Sequence, residues 1–168
     1  MDYILPYQVA SQFIKLKGRG PVLDIGAGTG LLGIEIQKLK KFEIHATDIS
    51  EEMLLVAEKK GIYSKIIVGN LIKGLPIKDN SYNGIVSSGT FTHGHVGPDV
   101  LFEIKRILSK GGIAVLSVNS KHWHRLGFDA TLPALEASGS KTNVIEVNIY
   151  GHKCKSDSKN DTAYLLIL

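Results

Sequence analysis

Cysteine is the residue that the sequence almost lacks. Cys154 is the single cysteine among 168 residues. One cysteine cannot form an internal disulfide, and it excludes a metal site built from several cysteines. Because Cys154 lies in the polar stretch GHKCKSDSKND, we expect an incidental surface thiol rather than a catalytic nucleophile.

Long apolar runs and secretion signals are missing as well. The chain is 43% hydrophobic and 21% charged, and it contains no run of 18 apolar residues, so the sequence predicts a globular protein without a membrane span. The first residues, MDYILPYQVASQ, have neither the basic start nor the apolar segment of a signal peptide. We therefore expect a cytoplasmic location.

Positive charge is present but is not concentrated. The formal net charge is +4, and the lysines are spread over stretches such as KLKGR, KLKK and KSDSK. Dispersed lysines are typical of solvated helix ends and loops, so this pattern disfavours a nucleic-acid partner. Because the chain has no internal repeat and no Pro-rich linker, we expect one domain over residues 1–168.

Strand-like and helix-like patterns alternate along the chain. The predicted strands cover residues 21–26, 42–48, 64–70, 82–88, 113–119, 143–150 and 162–168. Between them, the spacing of apolar residues predicts helices over 31–41 and 51–60, from Pro98 to Gly111, and over 129–138. This alternation predicts an α/β fold with a mostly parallel sheet, in which ligands bind beyond the carboxyl ends of the strands.

A glycine-rich turn follows the first predicted strand. The segment VLDIGAGTGLLG places Gly28-x-Gly30-x-x-Gly33 there, and Asp48 follows about 20 residues later, a pattern typical of dinucleotide sites. Asp24, two residues before the first glycine, would gain nothing beside a diphosphate but would stabilise a ligand with a cationic end. In the alternative interpretation, Asp24 only caps N–H groups of the loop. Met53, five residues after Asp48, is placed to lie near an adenine, and the alternative is that it only fills the core.

The ordered motifs VLDIGAGTG, ATDISEEML, VGNLIKGLPIKDNSYNGIVSS and EIKRILSKGGIAVLSV resemble those of class I S-adenosylmethionine-dependent methyltransferases. The resemblance covers about residues 20–119. Within that superfamily, the loop SGTFTHGHVGPD is most similar to the methyltransferase-like proteins of the Williams-Beuren region type. The resemblance implies a Rossmann-like, doubly wound, mostly parallel seven-stranded sheet with an antiparallel last strand, and S-adenosyl-L-methionine as cofactor.

The resemblance also implies a role for individual positions. Asp24 would face the methionine amino group, and Asp48 would hold the ribose hydroxyls. The remaining cofactor positions are the turn residues Gly26, Ala27, Gly28 and Gly30, the adenine sandwich of Ile49 and Met53, the adenine edge at Asn70 and Leu71, and the methionine contacts Ser87 and Ser88.

Two departures from the family pattern concern this site. Asn70 and Asn83 stand where the family usually has acids. An asparagine oxygen still accepts a hydrogen bond from an adenine amino group, but without the contribution of a full charge. In addition, only about 20 residues precede the first predicted strand, so we expect the leading helix that caps the cofactor to be shortened. The alternatives are a cap supplied by a partner chain and no cap.

The acceptor side is expected in the loops after the fourth and fifth strands. The candidate general bases are His93 and His95 in the first loop and His122 and His124 in the second. We assign the catalytic role to His93, and the alternative for His93 and His95 is that they only fix the loop through hydrogen bonds. Trp123 is as consistent with core packing as with an aromatic wall. His93 and His95 form a His-x-His pair, but no nearby Asp, Glu or His residues have the spacing to complete a metal site. We therefore expect no metal site. The predicted acceptor contacts are Thr90, Phe91, His93, His95 and Trp123.

The fourth predicted strand also bears on the acceptor class. It ends in SSGT rather than the Asn/Asp-Pro-Pro-Tyr run of amino-methylating nucleic-acid enzymes, and no Pro-Cys occurs. A small molecule is therefore the first expectation, and a protein side chain the second. Two alternatives remain: an NAD-dependent oxidoreductase, disfavoured by Asp24 and by the lack of a Tyr-x-x-x-Lys pair, and a cofactor-binding module without catalysis.

Overall fold

Seven strands form one sheet in the part of the chain that the computed structural model describes, residues 2–91, 96–154 and 160–168. Their order across the sheet is β3-β2-β1-β4-β5-β7-β6. The strands are β1 (Val22–Ile25), β2 (Ile44–Asp48), β3 (Lys65–Val68), β4 (Tyr82–Phe91), β5 (Leu108–Asn119), β6 (Asn143–Asn148) and β7 (Thr162–Ile167).

The pairing of the strands confirms the predicted fold class. Strands β1 to β5 pair in parallel, whereas β7 runs antiparallel to both β5 and β6. The chain builds the sheet from β1 toward β3 on one side, and then continues at β4 on the other. The strand order therefore reverses between β1 and β4, the place where doubly wound sheets bind their ligands.

Helices cover both faces of this sheet. They are α1 (Leu5–Lys15), α2 (Leu31–Leu39), α3 (Glu51–Glu58), α4 (Val100–Ile107), α5 (Ser120–Trp123) and α6 (Phe128–Ala137), with a 3₁₀ turn at Leu71–Lys73. Ser50 caps the start of α3, because its hydroxyl accepts a hydrogen bond from the Met53 N–H over 3.2 Å.

The alternation of side chains along β1 divides the core into two clusters. Val22 packs in a cluster with Phe13 of α1 and Ile36 of α2, whereas Leu23 packs on the opposite face with Ile104 of α4 and Phe128 of α6. Strand residues that alternate between two apolar clusters are typical of a sheet buried on both faces. Asp24 lies between Leu23 and Ile25 on the same strand and is buried as fully as they are, although its side chain is ionisable.

The N-terminal segment, residues 2–15, is tied to the C-terminal third of the chain. The Ile4 N–H donates to the Ile149 carbonyl over 3.0 Å, and Tyr3 forms an isolated antiparallel bridge with Tyr150. Helix α1 then buries Val9 and Phe13. The apolar spacing of Leu5, Val9 and Phe13 is typical of a helix, and the 11-residue α1 stands where a shortened leading helix was expected.

Three local expectations differ from the structure. Strand β5 begins at Leu108 rather than at 113, because the chain leaves α4 there and Gly111 turns it with a φ of +74°. Strand β4 continues to Phe91 rather than ending at 88. Cys154 is buried, not a surface thiol.

In the described ranges, no helix is both long and apolar enough to span a membrane.

Candidate functional site

A cavity of about 670 Å³ opens beyond the carboxyl ends of the parallel strands. Its walls come from the segments that follow β1, β2, β3 and β4, together with Tyr3 and Pro6 of the N-terminal segment. Asp24 and Asp48 are the charged side chains among the described lining residues, and the other walls are largely apolar. The cavity therefore has two anionic positions in an otherwise uncharged surface.

The floor of the cavity is the glycine turn after β1. Gly26 and Gly28 adopt φ angles of +65° and +52°, which residues with a side chain rarely adopt. A Cβ on Gly26 would lie 2.0 Å from the Thr90 hydroxyl. The Thr47 carbonyl accepts the N–H groups of both Gly26 and Ala27, over 2.8 and 3.1 Å. Strand β2 therefore fixes the shape of this turn.

Asp24 is fully buried in the cavity wall. Its Oδ2 accepts a hydrogen bond from the Tyr63 hydroxyl over 2.7 Å, whereas its Oδ1 has no hydrogen-bond partner among the described residues. Burial raises the pKa of this carboxyl to about 7, the Tyr63 hydrogen bond opposes the rise, and the nearby charge of Asp48 adds to it. A buried carboxylate with one open acceptor is suited to a cationic ligand group.

Asp48 ends β2 and joins two backbone segments. Its Oδ2 accepts the Gly28 N–H over 2.8 Å, and its Oδ1 accepts the Ser50 N–H over 3.0 Å. Each carboxylate oxygen has a further lone pair, so the side chain can still accept hydrogen bonds from two hydroxyl groups.

The predicted adenine side is apolar and open. Ile49 and Met53 line the cavity and are 67% and 49% exposed, and Leu71 lines it as well. Asn70 is also at the cavity, but its Oδ1 accepts the Ile72 N–H over 2.9 Å and thereby caps the 3₁₀ turn. The Asn70 amide NH₂ is consequently a donor at this edge, whereas a carboxylate there could only accept.

The end of β4 separates residues that line the cavity from residues that support it. Ser88 and Thr90 line the cavity, whereas Ser87 is buried behind it and donates to the Ile25 carbonyl over 2.8 Å. The Thr90 hydroxyl also donates to Ile25, over 2.9 Å. Ser87 is therefore a support for the glycine turn rather than the ligand contact that the sequence suggested. Gly30 does not line the cavity either. It occupies the N-cap position of α2.

The structure does not bring Phe91 and Trp123 to the cavity. Both are buried in the core cluster of α4 and α6, where Phe128 contacts them at ring-centroid distances of 5.7 and 5.8 Å. Large aromatic surfaces gain more from burial than from a solvent-exposed wall. These two residues therefore have a packing role in place of the predicted acceptor contact.

None of the histidines in the described ranges lines the cavity. His93 and His95 lie outside the described residues. His122 contacts the Arg125 guanidinium, and His124 pairs with Asp129 on an exposed surface, 2.6 Å from Nδ1 to Oδ2. In residues 2–91, 96–154 and 160–168, no group of three or more His, Cys, Asp or Glu side chains is placed to hold a metal ion.

Several lining and supporting residues were absent from the sequence-based site. Tyr3, Pro6, Thr47 and Val96 line the cavity, and Tyr63 supports Asp24. The Thr47 hydroxyl is buried without a partner among the described residues. Because Thr47 directly precedes Asp48 at the end of a predicted strand, the sequence alone could have placed it at the ligand-binding edge.

The donors and acceptors of this cavity fit S-adenosyl-L-methionine. The open Oδ1 of Asp24 suits an ammonium group, and the remaining lone pairs of Asp48 suit a ribose diol. Exposed Ile49 and Met53 supply apolar surface for a purine. All of these residues lie along one cavity.

Comparison with known families agrees with this geometry. A family model described as "Methyltransferase domain" matches residues 22–112, which is more than half of the 168-residue chain. The matched range includes the glycine turn, Asp24, Asp48 and Asn70.

Two curated relatives are a methyltransferase-like protein and a methyltransferase by name. The chain is 26% identical over 122 residues to methyltransferase-like protein 27 of Homo sapiens, covering 70% of this chain and 49% of that protein. It is 31% identical over 106 residues to a sterol 24-C-methyltransferase of Gibberella zeae, covering 60% of this chain and 28% of that enzyme. The matches thus span half or less of these relatives' own lengths.

A solved structure shares the fold over almost the whole chain. The TehB-like SAM-dependent methyltransferase of Corynebacterium glutamicum superimposes with a TM-score of 0.68 at 22% identity, covering 98% of this chain and 87% of the other. At this identity the likeness establishes the fold.

Proposed function

Because the chain belongs to the methyltransferase domain family, we propose that it transfers a methyl group from S-adenosyl-L-methionine to a small-molecule acceptor. The observation that supports this most is Asp24, a buried carboxylate with one open oxygen, two residues before the glycine turn. A diphosphate at this turn would be repelled by Asp24, whereas an ammonium group would be attracted. This preference favours the sulfonium cofactor over NAD.

The chemistry of the cofactor defines what the protein has to do. When bound, S-adenosyl-L-methionine supplies an electrophilic methyl group on a sulfonium. In the proposal, Asp24 holds the amino group, Asp48 the ribose hydroxyls, and Ile49, Met53 and Leu71 the adenine. Fixing both reactants in a water-poor site can supply on the order of 7–11 kcal/mol of the barrier reduction.

The proposed acceptor region is the wall formed by Tyr3, Pro6, Ser88, Thr90 and Val96. None of these five side chains is charged, and all line the same cavity. An uncharged wall supports a small, largely apolar acceptor, with hydroxyl groups of Tyr3, Ser88 and Thr90 to orient it. The finer similarity to the Williams-Beuren region type stays a prediction.

His93 stays the candidate general base in this proposal. In the sequence it stands between Thr90 and Val96, which both line the cavity. If the acceptor arrives protonated, a base contributes roughly 10²–10⁴-fold to the rate. We therefore expect His93→Gln to lower turnover by that range while binding of S-adenosylhomocysteine stays unchanged. Equal loss of binding and turnover would assign His93 a structural role instead.

Two measurements test the proposed function. Calorimetry with S-adenosylhomocysteine should show binding, and the absence of heat at millimolar ligand, or tighter binding of NAD, would contradict the cofactor assignment. Incubation with S-adenosylmethionine labelled on its methyl group, together with a small-molecule extract and a protein extract, should then place the label in small molecules. Label in protein would establish the second acceptor class, and cofactor binding without transfer to either extract would favour the non-catalytic module.

A further inference from the structure

We propose that Tyr63 is a positioning residue for cofactor binding: its hydroxyl holds Asp24 so that the second carboxylate oxygen is available to the amino group of the ligand. This inference rests on the proposed function and extends it to a residue outside the cavity wall. Tyr63 lies between α3 and β3 and is 8% exposed. It does not occur among the described lining residues.

The hydrogen bond from Tyr63 fixes which oxygen of Asp24 remains open. The phenol donates to Oδ2 over 2.7 Å, and Oδ1 has no partner in the described ranges. Burial and the adjacent Asp24 carboxylate raise the pKa of Tyr63, so the phenol keeps its proton and acts as the donor. A carboxylate with one oxygen held has lost most of its rotational freedom before the ligand arrives, which lowers the entropic cost of binding.

The glycine pattern makes room for this tyrosine. A Cβ on Gly33 would lie 2.5 Å from the Tyr63 hydroxyl oxygen, and a Cβ on Gly30 would lie 3.0 Å from Cε2 of its ring. Contacts this short displace the tyrosine. The first two glycines, Gly26 and Gly28, therefore shape the cavity, whereas Gly30 and Gly33 accommodate Tyr63 against α2.

The same hydrogen bond keeps Asp24 ionisable near neutral pH. Burial raises the pKa of Asp24 to about 7, and the Tyr63 hydrogen bond limits that rise. Without the hydroxyl, the carboxyl pKa rises further, so a larger fraction is protonated at pH 7 and cannot attract an ammonium group. The apparent affinity for an ammonium group therefore falls most at and below neutral pH, and the loss shrinks as the pH rises and the carboxyl ionises again.

The test compares two ligands that differ in the amino acid part. S-adenosylhomocysteine has the amino group, whereas 5′-methylthioadenosine has the same adenosine and a sulfur but no amino group. We expect Tyr63→Phe to weaken S-adenosylhomocysteine about five- to tenfold at pH 7, with the loss shrinking toward pH 8.5. Binding of 5′-methylthioadenosine should stay within about twofold of the wild type.

Tyr82→Phe is the matched control. Tyr82 is also buried, and its hydroxyl is hydrogen-bonded to His45 Nδ1 over 2.7 Å, away from the cavity. This variant should leave the affinity for both ligands unchanged at every pH. Gly33→Ala is a second route to the same result, since it displaces the Tyr63 hydroxyl while alanine is favourable inside a helix. If Tyr63→Phe does not fold, the Gly33→Ala variant is measured in its place.

The outcomes separate the two proposals. If the wild type does not bind S-adenosylhomocysteine, the proposed function is wrong, and this inference is wrong with it. Binding by the wild type together with unchanged affinity in Tyr63→Phe and Gly33→Ala would overturn the positioning role alone. An equal, pH-independent loss of both ligands would also overturn it, because that pattern shows a general disturbance of the cavity.

Discussion

Gly28 donates its backbone N–H to the Asp48 carboxylate over 2.8 Å. This bond joins the glycine turn after β1 to the carboxyl end of β2, so the two halves of the proposed adenosine site form one unit. Asp48 therefore has a structural role before any ligand binds, in addition to its proposed contacts with the ribose.

Asp48→Asn should weaken every ligand that contains adenosine. The amide can accept one of the two backbone N–H groups, but its NH₂ then faces the other donor. We expect about tenfold or greater loss for both S-adenosylhomocysteine and 5′-methylthioadenosine by calorimetry. Asp79→Asn, which changes an exposed carboxylate paired with Arg106, is the control and should bind both ligands normally. Loss of the amino-acid-containing ligand alone would contradict the proposed ribose contact.

Asp24→Asn should stabilise the ligand-free protein at high pH while impairing cofactor binding. The folded-state pKa of Asp24 is raised to about 7 from 3.8, so the folded protein holds a proton that the unfolded chain loses. Stability then falls as the pH rises from about 4 to about 7, and the neutral asparagine avoids this loss. The unfolding midpoint should rise by roughly 2–4 °C per kcal/mol relieved.

Thermal unfolding at about pH 5 and pH 8 checks this expectation. The difference between Asp24→Asn and the wild type should be larger at pH 8. A midpoint that is lower than the wild type at pH 8 but not at pH 5 would show that the Asp24 charge stabilises the fold, contrary to its burial.

Gly26→Ala should destabilise the protein more than Gly61→Ala. Both glycines have a φ near +65°, but a Cβ on Gly26 meets the Thr90 hydroxyl at 2.0 Å, whereas a Cβ on Gly61 meets nothing within 4 Å. The backbone strain of about 1–2 kcal/mol is common to both variants. The steric conflict with Thr90 adds about 1–3 kcal/mol in Gly26→Ala alone. Urea unfolding of the two variants measures the difference, and equal losses would show that Thr90 moves aside freely.

Met53→Ala should affect ligand binding but hardly the fold. Met53 is 49% exposed at the cavity, and Leu55, on the same helix, is 50% exposed but does not line it. If adenine covers Met53, truncation removes about 1–1.5 kcal/mol of apolar contact, or roughly tenfold in affinity. Leu55→Ala should bind normally. Equal affinities in the two variants would place the adenine elsewhere.

The succession of strands and helices along the chain and the glycine turn were predictable from the sequence because they depend on local patterns. Apolar runs alternate with helical spacing, and Asp24 and Asp48 end their strands. Tyr63 was not predictable, since its partner Asp24 is 39 residues away and the two meet only in the folded sheet, where β2 lies between β1 and β3. The placement of Trp123 was undecidable for a similar reason, because an aromatic residue suits a core and a pocket equally.

The wall made by Tyr3 and Pro6 lies outside residues 22–112, the part matched by the family model. The segment that carries this wall instead makes backbone contacts with Ile149 and Tyr150. Substitutions in these two distant segments can therefore reshape one side of the cavity while the glycine turn and Asp48 keep their geometry. In the proposed function this wall contacts the acceptor, so evolution, or a protein engineer, could change the acceptor without rebuilding the part that holds the methyl donor.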